Sequence, residues 1–199
     1  MTRTIESDTL SDDAPHFVRH GHFAYESGDH GDTWLTLELL FVDAQWLQRA
    51  AGQLADRIRQ MNADVICGPV VGGALVAQPV AAALGASFVY AERQVTSAGA
   101  EYHIPPSARA TLGGRRVVIV DDVINAGSAS AACAREVRAA KGELVGVASL
   151  MLRNGADAAV GERLGVPVEC LHSVRWNIWP AGECPLCRSG QSLDPHGPR

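Results

Sequence analysis

Residues 117–129, VVIVDDVINAGSA, combine a carboxylate pair with a run of small residues. The four branched residues Val117 to Val120 are typical of a buried strand, and Asp121 and Asp122 follow directly. They come where the chain should leave the carboxyl edge of the sheet, which is where open α/β sheets bind ligands. The sequence therefore predicts that both carboxylates face a cleft.

The small residues that follow, Asn125 to Ala129, are predicted to open a helix. Backbone N–H groups at the positive end of a helix, together with the Ser128 hydroxyl, can surround a phosphate. Carboxylates accept hydrogen bonds from vicinal ribose hydroxyls, so the pair beside this cradle suits a sugar phosphate. The alternative is a buried strand that ends in Asp and a helix that starts with small residues for structural reasons alone. The two features in this order favour the ligand site.

A second turn, Gly68-Pro-Val-Val-Gly-Gly73, follows a short apolar segment and could bring its backbone close to a diphosphate. The alternative is a tight turn kept small for packing. The turn lacks the lysine of the G-x-x-x-x-G-K-[ST] loop, which disfavours a nucleotide hydrolase. No G-x-G-x-x-G opens a helix after a strand, so dinucleotide binding is weakly supported.

Alternating strands and helices are predicted to position these turns. From Asp43, apolar residues recur at helical spacing and predict an amphipathic helix; they are Leu47, Ala50, Leu54, Ile58 and Met61. Further helices are expected up to Leu84, before Gly85, and over 128–141. The predicted strands are 64–67, 86–91, 116–120, 143–152 and, as a possible fifth, 166–171. We therefore expect an α/β fold with a central, mainly parallel sheet of about five strands and flanking helices.

Length and composition indicate one globular domain of 199 residues with 47% apolar residues. No apolar run reaches the ~18 residues of a membrane span, so no membrane partner is expected. A net charge of −5 disfavours nucleic acid as the main partner. Five cysteines without an export signal favour a reducing cytoplasm. We expect 1–16 to be a disordered acidic tail and 17–199 to be the domain.

The segment VVIVDDVINAGSA resembles the phosphoribosyl-diphosphate signature of type I phosphoribosyltransferases, and its Ala-Gly is similar to the orotate branch of that family. The likeness spans roughly residues 20–193 and adds a small hood to the expected fold. Four shorter segments agree with it: Gly21-His-Phe-Ala-Tyr-Glu-Ser-Gly28, Gly68-Pro-x-x-Gly-Gly73, Tyr90-Ala-Glu-Arg93 and Glu183-Cys-Pro-Leu-Cys187.

The resemblance implies Mg²⁺-dependent transfer of ribose 5-phosphate from 5-phosphoribosyl-1-diphosphate to a ring nitrogen of a pyrimidine, most simply orotate. It also implies a homodimer. Asp121 and Asp122 would hold the ribose, and Arg153 would hold the carboxylate of the base, the alternative being a surface arginine at a strand end. The remaining implied ligand-binding residues form three groups: for the 5-phosphate Asn125, Ala126, Gly127, Ser128 and Ala129; for the Mg²⁺-diphosphate Gly68, Pro69, Gly72 and Gly73; and for the base pocket Phe23, Ser27 and Gly28.

Residues 93–114 show no sustained period and are expected to form a functional loop that closes over the donor. The family commonly places a lysine here, but 94–114 has none and Arg93 stands where the family has lysine. Arg93 and Arg109 are the candidate cations, and His103 is a candidate for proton or charge transfer, or else a solvated loop histidine. This departure leaves two alternatives open: transfer to a different base, or a non-catalytic regulator that senses the donor sugar.

Cys184-Pro-Leu-Cys187 has the spacing of half a tetrahedral metal site, which Cys170 and His172 could complete. The favoured alternative is an apolar tail turn with free thiols. No residue is therefore assigned as a metal ligand from the sequence.

Overall fold

A computed structural model describes residues 17–25, 27–96, 99–153 and 155–195, so the predicted tail 1–16 lies outside the described residues. The strands are β1 Val18–Ala24, β2 His30–Leu35, β3 Val65–Pro69, β4 Ser87–Thr96, β5 Gly99–His103, β6 Arg116–Ile124, β7 Glu143–Arg153, β8 Val168–Val174 and β9 Ile178–Trp179. The helices are α1 Glu38–Val42, α2 Ala44–Ile58, α3 Gly72–Leu84, α4 Pro106–Arg109, α5 Ser128–Ala139, α6 Ala156–Leu164 and α7 Pro185–Arg188.

The main sheet has the strand order β5-β4-β3-β6-β7-β8, and all its pairings are parallel except that of β5 with β4. The predicted α/β class with a central, mainly parallel sheet is confirmed, with β5 as an additional antiparallel edge strand. The chain passes from β3 to β4 on one side and then returns to place β6 on the other side of β3. The order therefore reverses between β3 and β6, and such a switch point opens a crevice at the carboxyl ends of the strands.

Helices cover both faces of this sheet and bury two apolar clusters. Val118 and Val120 pack with residues of α2 and α3, whereas Val117 and Ile119 pack with residues of α5 and α6. Successive side chains of a strand point to opposite faces, so the continuous apolar run of β6 is what a strand buried on both faces requires.

Local signals account for the first helices. The Asp43 carboxylate caps α2 by accepting hydrogen bonds from the N–H groups of Gln45 and Trp46 at 3.0 and 2.9 Å. Four of the five predicted face residues of this helical segment are buried, but Trp46 is more deeply buried than Leu47. Gly85 ends α3 with a φ of 68°, a left-handed conformation that glycine adopts readily.

The structure differs from the sequence predictions at three places. Strand β6 continues through Asp121 and Asp122 to Ile124, because Val123 and Ile124 still pair with β7. Residues 93–114 are largely ordered as the rest of β4, strand β5 and helix α4, with 97–98 outside the described residues. Helix α6, which was not predicted, lies between β7 and β8.

A separate antiparallel sheet of order β1-β2-β9 forms the hood. It unites the start of the domain with a segment near its end, since β2 pairs with β9 through His30 and Trp179. Asp32 reinforces the junction by accepting hydrogen bonds from the backbone and side chain of Asn177 at 2.9 and 2.6 Å. Within the described residues, no helix is long and apolar enough to cross a membrane.

Candidate active site

The crevice at the switch point contains a cavity of about 250 Å³ between the turn that follows β3 and the segment that links β6 to α5. Its lining includes most of the residues singled out from the sequence: Pro69, Gly72, Gly73, Asp121, Asp122, Asn125, Ala126, Gly127, Ser128 and Ala129. Helices α3 and α5 both begin at this cavity, so two positive helix ends lie at its wall. The turn and the segment are separated by at least 48 positions, from Gly73 to Asp121, and thus meet only in the folded chain.

The glycines of the first turn are required by the carboxylates across the cavity. A Cβ on Gly72 would collide with the Asp122 carboxylate, and a Cβ on Gly73 would lie 2.7 Å from an Asp121 oxygen. Gly68 does not line the cavity, but a Cβ there would lie 2.6 Å from the Gly73 carbonyl oxygen. The turn therefore approaches the carboxylate pair as closely as its backbone permits. Its Val70–Val71 peptide bond is cis.

The carboxylate pair is largely buried near the end of β6. Asp121 accepts a hydrogen bond from the Asp122 N–H at 3.0 Å, and Asp122 accepts one from the Val123 N–H at 2.8 Å. Burial raises the pKa of Asp121 well above its ordinary value, and the neighbouring Asp122 carboxylate raises it further. Burial also raises the pKa of Asp122. Among the described residues neither forms an ion pair, so the site favours a ligand that brings hydroxyl donors or a cation.

The phosphate cradle predicted at 125–129 is built around Gly127, which precedes α5 with a φ of 67°. The Ala131 N–H makes the first helical bond, to the Gly127 carbonyl at 2.9 Å, so the N–H groups before it are not used by the helix. Arg163, on α6, donates to the carbonyls of Ala126 and Gly127 at 2.7 and 2.8 Å. Arg163 was missed from the sequence because no periodic signal predicted α6.

Arg153 lines a neighbouring cavity of about 310 Å³, together with Asp29, Asn125, Ala126, Ile178 and Pro180. Its Nε is buried and has no hydrogen-bond partner among the described residues. Asn125 lines both this cavity and the first one. A guanidinium nitrogen that is buried without a partner favours an anionic group as the occupant of this second cavity.

The hairpin formed by β4 and β5 brings Tyr102 to the first cavity, rather than the predicted His103. Adjacent residues of a strand point to opposite faces, and His103 instead lies 3.3 Å from Glu101 with a side chain 44% exposed. Burial and Asp121 raise the pKa of Tyr102, while Arg93, its partner across the hairpin, opposes this. Tyr102 had a weak signal in the sequence, its place in the same loop as His103.

Arg109 and Phe23 are not at the cavities. Arg109 pairs with Glu136 at 3.0 Å and so holds α4 against α5. Phe23 is fully buried beside Trp34 in the hood and lines neither of these two cavities, so its assignment to the base pocket stays a prediction. Ser27 and Gly28 do not line them either, but Ser27 donates to Asp29, which lines the Arg153 cavity.

The third cavity, of about 190 Å³, lies between the hood and the main sheet, and its lining includes Tyr25, Trp34, Asn125 and Trp176. Asn125 thus borders all three cavities. This cavity is lined by aromatic rings and by the Asn125 amide, and it lies beside the cavity of Arg153. Such a lining suits a flat, polar ring as the ligand.

A doubly covered parallel sheet with a carboxylate pair and two helix ends at its switch point defines a nucleotide- or sugar-phosphate-binding α/β protein. Residues 42–186 match the phosphoribosyl transferase domain model. The chain belongs to this family and is an enzyme of the phosphoribosyltransferase type. It is 30% identical to the orotate phosphoribosyltransferase of Caldanaerobacter subterraneus over 92% of this chain and 91% of that protein. It is 29% identical to that of Thermus thermophilus over 87% of this chain and 91% of that protein.

Solved structures show the same fold. The orotate phosphoribosyltransferase of Aeropyrum pernix superposes with a TM-score of 0.63 at 21% identity and covers 79% of this chain and 88% of its own. The adenine phosphoribosyltransferase of Thermoanaerobacter pseudethanolicus gives 0.61 at 23% identity, covering 72% and 88%. Because enzymes named for different bases superpose equally well, the fold alone does not select the base.

Proposed function

We propose that this enzyme transfers ribose 5-phosphate from 5-phosphoribosyl-1-diphosphate to orotate, giving orotidine 5'-monophosphate and diphosphate. The observation that supports orotate is Arg153, whose Nε is buried without a partner beside the cradle. A planar guanidinium fork binds a carboxylate through paired hydrogen bonds, and orotate differs from uracil by its carboxylate. The names of the relatives at about 30% identity agree with this choice.

In this mechanism the groups that line the first cavity bind the donor sugar phosphate and stabilise the charge that develops on it. The N–H groups of Gly127 and of the first turn of α5 hold the 5-phosphate, and Asp121 and Asp122 accept hydrogen bonds from the ribose hydroxyls. As diphosphate leaves, the sugar gains oxocarbenium character, which the same carboxylates stabilise. No covalent bond to the protein is required.

Mg²⁺ fits the first cavity because carboxylate oxygens are the hard ligands that it prefers, and the pair has no cationic side chain beside it among the described residues. When bound with the donor, Mg²⁺ would neutralise the diphosphate as it leaves. The turn with Pro69, Gly72 and Gly73 would line this diphosphate. Arg93, on the hairpin, would supply the charge for which the family uses lysine.

A homodimer and a cytoplasmic location remain parts of this proposal. The cysteines of the described residues are all free, which fits a reducing compartment. Closure of the β4–β5 hairpin over the cavity would exclude water that otherwise hydrolyses the donor.

Steady-state kinetics with orotate, uracil and adenine test the assignment. We expect turnover of orotate, and we expect Arg153→Ala to raise the KM for orotate while leaving the KM for the donor nearly unchanged. A charged hydrogen bond contributes about 1.5–3 kcal/mol, which is roughly 10- to 150-fold in affinity.

Arg175→Ala is the matched control, because Arg175 is exposed just after β8 and lines none of the three cavities. Turnover of uracil or adenine that is insensitive to Arg153→Ala, with none of orotate, would reject orotate and retain phosphoribosyl transfer.

A further inference from the structure

A cluster of four potential metal ligands lies outside the three cavities. Its side chains come from the hood and from the segment that follows the hood. His22 lies on β1, His30 begins β2, Cys184 precedes α7 and Cys187 lies within it. Their ligand atoms all lie within 4.8 Å of one another. We propose that His22, His30, Cys184 and Cys187 bind a structural Zn²⁺ ion.

The distances match a tetrahedral site. Zn–N bonds of about 2.0–2.1 Å and Zn–S bonds of about 2.3 Å place two nitrogens ~3.3 Å apart, and a nitrogen and a sulfur ~3.6 Å apart. The His22 Nε2 to His30 Nδ1 separation is 3.1 Å. The His22 Nε2 lies 3.4 Å from the Cys184 Sγ and 3.6 Å from the Cys187 Sγ, and the His30 Nδ1 lies 3.2 Å from the Cys187 Sγ.

A backbone hydrogen bond holds His22 in the tautomer that leaves Nε2 available to a metal ion. Its Nδ1 lies 2.7 Å from the Gln191 carbonyl oxygen, which can only accept, so Nδ1 must carry the proton. In the neutral ring, Nε2 then carries a lone pair that points toward the centre of the cluster. A metal-bound histidine commonly donates its other N–H to a carbonyl in this way.

Local backbone features bring the ligands together. Between His20 and Phe23, β1 has one more residue than the facing segment of β2, and this bulge includes His22. Cys184 and Cys187 have the C-x₂-C spacing of zinc sites around the start of α7. His22 and Cys184 are buried, at 1% and 0% exposure, so the two ligands are removed from water before any ion is bound.

The ligand set selects the ion and its role. Two thiolates and two imidazoles in a tetrahedron favour Zn²⁺ over Mg²⁺, which prefers oxygen ligands in an octahedron. Four protein ligands leave no open position, so the ion is structural. Cys170 and His172, which could have completed the site from the sequence, are not in the cluster.

The ion would fasten the hood to the segment that follows β9. The hood is small, and its strand β9 has two residues, so it has little apolar area of its own with which to hold its shape. His30 directly follows Asp29, which lines the Arg153 cavity. Zinc would therefore keep one wall of that cavity in place without contacting the donor.

Metal analysis of the full-length protein, purified without chelators from zinc-supplemented medium, tests this proposal. We expect about one Zn²⁺ per chain in the wild type and less than half of that in His22→Asn and Cys187→Ser. The controls His20→Asn, on the same strand, and Cys170→Ala, a thiol outside the cluster, should keep the wild-type content. Cys187 is exposed, so its substitution tests the site even if changes at buried ligands prevent folding.

Cobalt-substituted protein provides a readout that folding alone does not produce. Growth with Co²⁺ should give the intense visible bands of a tetrahedral ion and a thiolate charge-transfer band, both lost in Cys187→Ser. Three results would overturn the proposal: wild type without zinc or cobalt, metal retained in full by both ligand variants, or a Cys184–Cys187 disulfide in metal-free wild type.

Discussion

Asp121 and Asp122 are held in an environment that does not favour their ionised forms. Their burial near the end of β6 raises both pKa values above the ordinary aspartate value of about 3.9, and the Asp122 carboxylate raises that of Asp121 further. Ionisation of a buried carboxyl pair carries a desolvation penalty, which a bound hydroxyl donor or cation can offset. Groups of this kind are common where a ligand is to be bound through charge.

We predict that Asp121→Asn and Asp122→Asn each lower kcat/KM by about 10²–10³, since removal of one positioned electrostatic group has effects of that size. Each asparagine oxygen can still accept the backbone hydrogen bond that the carboxylate accepts, so both variants should fold. Steady-state assays with the donor and orotate measure the loss, and circular dichroism checks the fold. Wild-type activity in the double variant would contradict the role of the pair.

The same variants should change how stability depends on pH. A carboxyl whose folded-state pKa is raised contributes stability below its unfolded pKa, and this contribution is lost as pH rises through the folded value. Without ligand, Asp121→Asn should therefore melt at or above the wild-type temperature near pH 8, and this advantage should shrink toward pH 5. Thermal melts across this range provide the measurement. A variant that melts well below the wild type at pH 8 would instead assign Asp121 a structural role.

At the scale of elements, the β4–β5 hairpin determines which side chain reaches the first cavity. Tyr102 lines it, whereas His103, one residue further along the same strand, lies beside Glu101. The strand pairing of β5 with β4 fixes this choice, because the two residues must point to opposite faces.

We predict that Tyr102→Phe lowers kcat/KM by roughly 2- to 10-fold, the effect of losing one hydrogen bond of about 0.5–1.5 kcal/mol. His103→Asn, the matched control on the opposite face, should change it less than twofold. The same assay measures both variants. A large loss in His103→Asn with none in Tyr102→Phe would show that the hairpin changes its pairing during turnover.

At the scale of the whole molecule, the site is divided among distant parts of the chain. The crevice joins the turn after β3 to the segment after β6, and the Arg153 cavity is closed by residues of the hood and of the segment after β8. Ligand binding should therefore stabilise the complete domain rather than one element.

We predict that 5-phosphoribosyl-1-diphosphate with Mg²⁺ raises the melting temperature. At a ligand concentration of 100 Kd the gain is about 2.7 kcal/mol, or roughly 5–10 °C for a domain of this size. Thermal melts with Mg²⁺ present or omitted are the measurement; a chelator is avoided because it would also remove the proposed zinc. No shift with Mg²⁺, or an equal shift in the Asp121→Asn and Asp122→Asn double variant, would contradict the proposed donor site.

Local sequence patterns determined the central part of the fold and most of the lining of the first cavity. Three of these patterns depend only on residues a few positions apart, so they can be recognised without a structure. They are the run Val117–Val120, the small residues around the start of α5 and the glycine after α3. They predicted the main strands, the helix start at the cradle and the residues that line the first cavity.

Tertiary structure decided the rest, because the interactions responsible join residues that are far apart in the chain. Strand β6 continues past its apolar run only because β7 pairs with Val123 and Ile124. The segment after Arg93, which shows no hydrophobic periodicity, forms a hairpin because β5 pairs with the free edge of β4. His22 meets Cys187 across 165 positions, a distance over which no periodicity carries information. The lining of the first cavity was thus predictable from local chemistry, whereas the hairpin, the hood contacts and the proposed zinc site depend on contacts between distant parts of the chain.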